Sequence, residues 1–419
     1  MEKYSEYNDS GMQWLGVIPG HWGKRKLKYL FTERSEKNHP DEPMLSATQS
    51  DGVILQSKYK NRVVVVNTGF DGLKLVKVGD FVIHLRSFQG GIEYAYDQGI
   101  ISSAYTILTP KQIEYSDFYK YLLKSNSFID LLKICVTGIR EGQNINYSKL
   151  KQYFIPLPPI DEQQAIVSYL DDKCAKLDQL VANKEKEIEL LQEMKQRVIA
   201  DAVTRGLNPD VKFKDTDISW LPLIPEHWEE KRLASNFTGD VEVNKDFAFK
   251  HAFKFNYGSL IPKNEIGDPE EYRDVYVKYS IVKKGDILVN GLNLNYDFVS
   301  QRIACAPSDG IITSAYVVCR PRADVNYQYF TWLFKAMDYK KLFHGMGTGI
   351  RLTLSFKELK KQLIPVPPID EQKAIVAYIE ERVTKIDTLA QKLQKEIDSI
   401  KEYKQRLISD VVTGQIKIC

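Results

Sequence analysis

The sequence has few of the residues that hold disulfide or metal scaffolds together. Its 419 residues include five cysteines, none of them in a Cys-x-x-Cys pair: Cys135, Cys174, Cys305, Cys319 and Cys419. An odd number without such pairs argues against a disulfide framework and against a zinc ribbon. We therefore expect incidental thiols in a reducing compartment.

Long apolar runs are also missing. No stretch approaches the roughly 18 apolar residues that a membrane helix needs. The opening residues, MEKYSEYNDSGMQW, contain no apolar signal-peptide core. These absences predict no membrane association and a cytoplasmic location. The net charge of +3 is mild, so any affinity for nucleic acid must come from basic residues clustered on one face.

Signatures of catalysis are absent as well. The chain has no Walker loop, no H-E-x-x-H, no G-x-S-x-G and no G-x-G-x-x-G after a strand. His21 and His227 are predicted to pack or cap rather than to bind a ligand. The run DEQK at Asp370–Lys373 resembles a nuclease motif, but its counterpart earlier in the chain reads DEQQ, and helix capping explains both. The sequence therefore predicts no catalytic residues and no metal site.

The sequence does contain an internal repeat. WLGVIPGHW begins at Trp14 and WLPLIPEHW at Trp220, and GIISSAY (Gly99–Tyr105) matches GIITSAY (Gly310–Tyr316). The longest match aligns 155–204 with 364–413, with 26 of 50 positions identical. Between these segments the halves diverge. A shared frame with a different insert in each half indicates one architecture that presents two recognition surfaces.

The long matching segments predict two helices. Pro158 and Pro159 end the preceding element, Asp161 is the expected N-cap with Gln164 as its capping-box partner, and Glu162 suits the helix dipole. Apolar residues follow at alternating spacings of four and three, as in a coiled coil. That stripe is interrupted by three lysines expected to fix the register: Lys184, Lys195 and Lys404. Because neither helix can bury its stripe alone, we expect an antiparallel pair with the inserts at opposite ends, related by an approximate twofold axis.

The inserts are predicted to be mixed and rich in strands. Arg62–Asn67 and Ser102–Leu108 have the composition of strands, and a turn followed by a strand is expected after Gly79 and after Gly285. Helices are predicted at Asp117–Cys135 and at Tyr327–Phe343.

Residues suited to bind DNA fall in the inserts and beside the repeated motifs. Arginine, amide and aromatic side chains near glycines can read base edges, and lysines and arginines can contact phosphate; local salt bridges, polar loops and solvated charges are the alternatives. The candidates are Lys24, Arg25, Lys26, Arg86, Ser87, Gln89, Arg140, Gln143, Asn144, Lys231, Arg232, Asn290, Asn293, Asn295, Tyr296 and Arg351.

The whole chain resembles the specificity subunit of a type I restriction–modification enzyme. The resemblance rests on the two IP-x-PPIDEQ starts at Ile155 and Ile364, the two heptad helices, the two tryptophan motifs and the variable inserts. It implies an α+β fold: two globular mixed α/β target-recognition domains, separated by two long antiparallel coiled-coil helices in a pseudo-twofold repeat. The implied boundaries are a first recognition domain with the N-terminal segment at 1–154, a spacer helix at 155–206, a linker and second recognition domain at 207–363, and a second spacer helix at 364–419.

The same resemblance implies a role that is not catalytic. Each recognition domain would read one half of a split double-stranded DNA target, with the helices as a ruler that also docks methyltransferase subunits and, in some complexes, a restriction and translocase subunit. No cofactor is expected on this chain; S-adenosylmethionine, ATP and Mg are expected in the partners. The alternative is a coiled-coil scaffold with two protein-binding modules. A self-contained methyltransferase is disfavoured because PLPPI and PVPPI lack the asparagine and aromatic of an N-P-P-[FY] loop.

Overall fold

The computed structural model describes residues 2–59, 69–112, 116–137, 144–264, 267–349 and 352–418. The chain divides into two compact units, a first unit of Met1–Glu185 with Gln394–Cys419 and a second unit of Lys186–Leu393. Both units mix helices with antiparallel strands. Across the described residues no helix is both long and apolar enough to cross a membrane. The strand predicted at 62–67 lies outside the described residues.

The first unit contains short strands and helices followed by the start of a long helix. Its strands are β1 (Tyr7–Met12), β2 (Gly16–Pro19), β3 (Gly23–Lys26), β4 (Phe31–Arg34), β5 (Leu45–Thr48), β6 (Gly52–Leu55), β7 (Lys74–Val76), β8 (Phe81–Ile83), β9 (Glu93–Tyr94), β10 (Gly99–Ile101), β11 (Thr106–Pro110), β12 (Val136–Thr137), β13 (Asn144–Ile145) and β14 (Phe154–Leu157). Its helices are α1 (Leu27–Leu30), α2 (Ser87–Gly90), α3 (Ser116–Leu122), α4 (Asn126–Ile134), α5 (Tyr147–Leu150) and α6 (Ile160–Arg205), the last of which continues into the second unit.

The second unit has a similar order of elements. Its strands are β15 (Phe213–Asp215), β16 (Leu223–Pro225), β17 (Glu229–Arg232), β18 (Phe237–Thr238), β19 (Phe253–Asn256), β20 (Ser259–Pro262), β21 (Ser280–Val282), β22 (Ile287–Val289), β23 (Ile303–Cys305), β24 (Gly310–Ile312), β25 (Val317–Pro321) and β26 (Leu363–Val366). Its helices are α7 (Leu233–Asn236), α8 (Arg273–Tyr276), α9 (Tyr327–Tyr339), α10 (Phe356–Leu359) and α11 (Ile369–Val412), which continues into the first unit.

The central sheets of the two units share one strand order. It is β4-β11-β8-β9 in the first unit and β18-β25-β22-β23 in the second. A buried aspartate lies directly before the equivalent strands β8 and β22. Asp80 binds Arg34 of β4, with Oδ2 2.9 Å from Nε, whereas Asp286 binds Arg320 of β25, also at 2.9 Å. The two equivalent buried carboxylates are therefore neutralised by arginines on different strands.

Two local expectations were wrong. Ser102–Leu108 is not one strand, because β10 ends at Ile101 and β11 begins at Thr106. Asp117–Cys135 is two helices rather than one. Ser125 separates them as the N-cap of α4, where its hydroxyl accepts a hydrogen bond from the Phe128 amide.

Both long helices begin two residues earlier than the capping pattern predicts, because an N-cap at Asp161 would make Glu162 the first helical residue. α6 begins at Ile160, so Asp161 lies in the first turn and is not the residue before the helix. The buried amide of Gln163, rather than Gln164, reaches back and donates to the Pro158 carbonyl at 2.8 Å. Gln372 makes the same contact with Pro367 at 2.8 Å. The DEQ run thus joins each helix to its preceding prolines, which relates it to structure rather than to catalysis.

Within each unit the segments of α6 and α11 pack in antiparallel fashion. In the first unit Lys404 contacts Asp178 and Lys184 contacts Glu396, at 2.6 and 2.5 Å. In the second unit Lys195 contacts Asp387 at 2.7 Å. Each lysine that interrupts the apolar stripe therefore has a carboxylate on the facing helix. Such a pair adds little stability near the surface, but a shifted register would leave the lysine unpaired among apolar residues.

The repeated tryptophan motif packs against the first turn of the long helix in each unit. His21 Nε2 lies 2.8 Å from Glu162 Oε2, and His227 Nε2 lies 2.7 Å from Glu371 Oε2. In the second unit the indole of Trp228 also donates to Glu371 at 3.0 Å. The histidines therefore contact the carboxylate in the first turn, in agreement with a packing role.

Candidate nucleic-acid interface

Seven of the sixteen predicted DNA-binding residues lie on two loops at equivalent places in the two units. One loop spans 84–92 and joins β8 to β9, and the other spans 290–302 and joins β22 to β23. Because the flanking strands occupy the same positions in the two sheets, the two loops lie at equivalent strand ends. Their sequences differ in length and in composition. The two units thus have the same sheet arrangement but present different loop surfaces.

The 84–92 loop exposes part of the predicted set. Arg86 and Gln89 are exposed, beside Leu85, which is 51% exposed. Ser87 is not available, because it is fully buried and its hydroxyl accepts a hydrogen bond from the His84 amide at 2.9 Å. The prediction that Ser87 contacts DNA is therefore wrong. Its role is to close the turn that presents Arg86.

A buried ion pair holds the 84–92 loop against a neighbouring hairpin. Glu93 begins β9 and is fully buried, and its Oε2 lies 2.6 Å from Lys124 Nζ. Lys124 also donates to the Gln49 carbonyl at 2.8 Å, at the tip between β5 and β6. Because a buried carboxylate without a partner costs several kcal/mol, Lys124 ties β9, where the loop ends, to the hairpin tip.

The 290–302 loop presents a different mixture. Tyr296 is 78% exposed, and Asn293 is exposed in the left-handed conformation, with φ of 52°. Asn290 is half-buried, and its Oδ1 accepts from the Leu292 amide at 3.2 Å, so this side chain shapes the loop rather than facing solvent. Asn295 is also half-buried. Asn293 and Tyr296 are therefore the predicted residues that remain free to meet a ligand.

Arg302 fixes the shape of this loop from the buried side. Its side chain is fully buried, and its guanidinium donates to the carbonyls of Asn290, Leu292 and Asp297, at 2.9, 2.9 and 2.5 Å. Its own amide donates to Asp338 of α9 at 2.7 Å. One buried cation thus satisfies carbonyls along the loop, and the charge makes these hydrogen bonds stronger than neutral ones.

The far side of the loop is held by an aspartate and a histidine. Asp297 accepts from the Val299 and Ser300 amides at 3.1 and 2.9 Å. Hydrogen bonds from the Ser300 side chain and backbone lower the pKa of Asp297 to about 2. His344 Nε2 lies 3.0 Å from the Asp297 carbonyl, and its ring stacks on Phe298 with centroids 4.6 Å apart.

The hairpin tip beside this loop was missed at the sequence level. Tyr257 and Gly258 join β19 to β20, both with positive φ (42° and 76°), as in the two-residue turns that favour hairpins. Tyr257 is 79% exposed. A Cβ on Gly258 would lie 2.6 Å from Gln301 Oε1, so the tip packs closely on the 290–302 loop. The signal was the NYGS run, which is typical of a tight turn.

The remaining predicted residues lie elsewhere. Lys24, Arg25 and Lys26 are on β3, which pairs with β14, and Lys231 and Arg232 are on β17, which pairs with β26. Asn144 is exposed on β13. Arg140, Gln143 and Arg351 lie outside the described residues. The part of the chain that is described contains no group of three or more His, Cys, Asp or Glu residues that could hold a metal ion.

Comparison with known proteins relates this arrangement to one family. The sequence profile described as "Type I restriction modification DNA specificity domain" matches residues 20–190 and 253–399, which is more than half of the chain. The chain belongs to this family. Both loops, the hairpin tips and most of α6 and α11 fall inside the matched ranges of the specificity domain.

Relatives of this specificity-domain protein match it over all or part of its length. The putative type I restriction enzyme MjaX specificity subunit of Methanocaldococcus jannaschii is 25% identical over 100% of this chain and 99% of its own length. The type I restriction enzyme EcoBI specificity subunit of Escherichia coli is 25% identical over 65% of this chain and 60% of its own. A chain from a solved structure concerned with complex assembly and conformational transition of the type I R-M system aligns with a TM-score of 0.66, at 14% identity, over 95% of this chain and 99% of its own. That likeness concerns the fold.

Proposed function

We propose that the chain is the DNA-reading subunit of a type I restriction–modification complex and recognises a target in two parts, one with each unit. The observation that carries the proposal is the placement of two dissimilar loops between equivalent strands of two similar sheets. A duplicated frame with divergent loops suits a target whose halves differ. Base contacts from the loops would give specificity, while phosphate contacts from basic residues would give affinity.

In this proposal the chain is a pseudo-twofold repeat with recognition domains at 1–154 and 207–363. The segments 155–206 and 364–419 act as an antiparallel coiled-coil spacer. Support comes from the aligned repeats in the sequence and from the lysine–carboxylate pairs between facing helix segments. A stiff spacer also gives a thermodynamic advantage, because binding of one half-site makes binding of the second intramolecular.

The chemistry is assigned to partner subunits. We propose that methyltransferase subunits supply the S-adenosylmethionine site, and that a restriction and translocase subunit supplies the ATP and Mg sites where one is present. This chain would then contribute positioning alone, in the cytoplasm where the complex meets DNA. The sequence supports this division because it contains none of the usual cofactor-binding signatures.

The test is to alter one loop at a time in the assembled complex. The chain is co-expressed with a methyltransferase subunit of a type I restriction–modification system, and methylated adenines are mapped across the host genome. Arg86→Ala with Gln89→Ala is expected to relax only one half of the methylated sequence, and Asn293→Ala with Tyr296→Ala only the other. Loss of a good bidentate base contact costs about 1–3 kcal/mol of discrimination. Lys37→Ala is the matched control, since Lys37 is exposed in the first unit but outside the loop.

Two results would contradict the proposal. If no sequence-specific methylation depended on the chain, it would not be a reading subunit. If either loop variant altered both halves together, the units would not read separately. Capture of two protein ligands without DNA binding would favour the scaffold alternative.

A further inference from the structure

The 290–302 loop has an exposed apolar tip formed by Tyr296, Phe298 and Val299. Val299 is 89% exposed and Phe298 is 56% exposed, beside Tyr296 at 78%. Large apolar side chains exposed singly are ordinary, but three within four positions form a small apolar surface that water covers at a cost. Nothing among the described residues covers Val299.

The tip is held rigid rather than left to collapse. The Asp297 carboxylate accepts from the Val299 and Ser300 amides, and the Asp297 carbonyl is bound by both Arg302 and His344. Phe298 lies flat on the His344 ring, with an interplanar angle of 17°. These contacts hold the turn that carries Val299, whose side chain faces solvent. A preorganised tip loses little entropy on binding, which is the arrangement expected of a recognition element.

The size and surroundings of the tip favour DNA over a protein as its partner. A stable protein interface buries about 800 Å² on each side and involves roughly 20–30 residues. Here a few apolar side chains are interleaved with polar residues, Asn293, Asp297 and Ser300. The major groove is about 12 Å wide and offers one apolar group, the C5-methyl of thymine.

We propose that Val299 reads a thymine of the second half-site by contact with its C5-methyl group in the major groove. Tyr296 and Asn293 flank it as polar readers, and Phe298 stays on His344 as part of the support. Arg302 acts as a positioning residue. The inference rests on the proposed function, since it names the chemical group that one of the two surfaces recognises. The 84–92 loop presents Arg86 and Gln89 instead, so the two half-sites are read by different chemistry.

The test is a double-mutant cycle between the protein and the base. The complex with its methyltransferase subunit is titrated with duplexes that carry the target mapped by methylation, and each thymine of the second half-site is replaced in turn by deoxyuridine. At one position, removal of the methyl is expected to weaken binding about three- to fivefold, the equivalent of one buried CH₂ group. Val299→Ala should weaken binding to the thymine duplex by a similar factor. On the deoxyuridine duplex the same variant should bind as well as the wild-type protein. Val275→Ala is the matched control, because Val275 is 47% exposed in the same unit and should leave the thymine preference unchanged.

The outcomes separate this inference from the function on which it rests. If the wild-type complex binds the target no better than an unrelated duplex, the proposed function fails. If it binds specifically but no thymine is coupled to Val299, or the second half-site contains no thymine, only the inference fails. A rise in 2-aminopurine fluorescence on binding that Val299→Ala abolishes would overturn methyl reading in favour of insertion between base pairs. Loss of complex assembly in the Val299→Ala variant would show that the tip binds the protein partner.

Discussion

The turn after α11 allows a quantitative test of how the C-terminal residues are held. Gly414 follows the helix with φ of 75°, and its carbonyl accepts a hydrogen bond from the Tyr7 hydroxyl at 3.0 Å. A Cβ at Gly414 would lie 2.4 Å from Pro19 Cδ and 3.1 Å from the Trp22 ring. An alanine there meets two obstacles, a left-handed backbone and a proline ring with little freedom to move.

Gly16 is a control that separates these two obstacles. It lies in the same unit with φ of 74°, and a Cβ there would meet nothing within 4 Å. The left-handed conformation costs a non-glycine residue about 1–2 kcal/mol, so Gly16→Ala should lose that amount alone. Gly414→Ala should lose about 1–3 kcal/mol more, which is the usual cost of overpacking a filled site.

The measurement is hydrogen exchange of the full chain, followed by mass spectrometry in peptides that cover residues 2–22. Exchange reports the free energy of local opening. This is the appropriate quantity here, because a single free energy of unfolding is poorly defined for a chain of two units. Protection should fall further in Gly414→Ala than in Gly16→Ala, and the fall should include the strand that carries Pro19. Equal losses in the two variants would refute the reasoning, because the contact with Pro19 and Trp22 would then add nothing to the backbone term.

Three further outcomes are expected. The purified chain, incubated with labelled S-adenosylmethionine and DNA, should transfer no methyl groups, and transfer in the absence of another subunit would contradict the assignment of chemistry to partners. Four residues added to each long helix, after Glu185 and after Leu393, should lengthen the gap in the methylated target by close to two base pairs. The reason is that four helical residues add about 6 Å, whereas base pairs are about 3.4 Å apart. An unchanged gap in the methylation map would show that the helices do not set the spacing. A chain whose ends are joined and reopened near Asn208–Asp215 should still support modification of the same target, because the Lys417 amide donates to the Glu2 carbonyl at 2.9 Å and a short linker can close the ring. A soluble permuted chain that bound neither partner nor DNA would argue against the repeat.

The long helices could be predicted from the sequence because their signal is repeated over many turns. The apolar stripe predicted at spacings of four and three includes Ile379, Ile397 and Val411, and all three are fully buried. The contacts in the first turn of α6 were harder to predict. Asp161 and Gln164 fit a capping box by spacing, but the prolines before the helix offer a carbonyl that the neighbouring Gln163 reaches more easily.

The candidate site was predictable only in part. Composition marked residues of the 84–92 and 290–302 loops as candidates, because amide, arginine, aromatic and glycine residues are concentrated there. It did not distinguish side chains that face solvent from those that shape the loop. Ser87 and Asn290 hydrogen-bond to amides of their own loop, and this depends on backbone geometry that composition does not encode. Tyr257 was missed because it is distant in sequence from the loop on which its hairpin packs.

The different arginines beside Asp80 and Asp286 constrain how such a chain can exchange parts with a relative by recombination. The register of β8 and β22 makes Thr109 the counterpart of Arg320, while Arg34 has no arginine at the corresponding place in the second unit, where the residue is Asp240. A crossover that combined β25 carrying threonine with the native β18 would leave Asp286 buried without a cation, at a cost of about 3–5 kcal/mol. We therefore expect a breakpoint between these strands to destabilise the chimaera. Stable chimaeras are expected to inherit the carboxylate together with its arginine, which a crossover in the segments that flank the long helices would ensure.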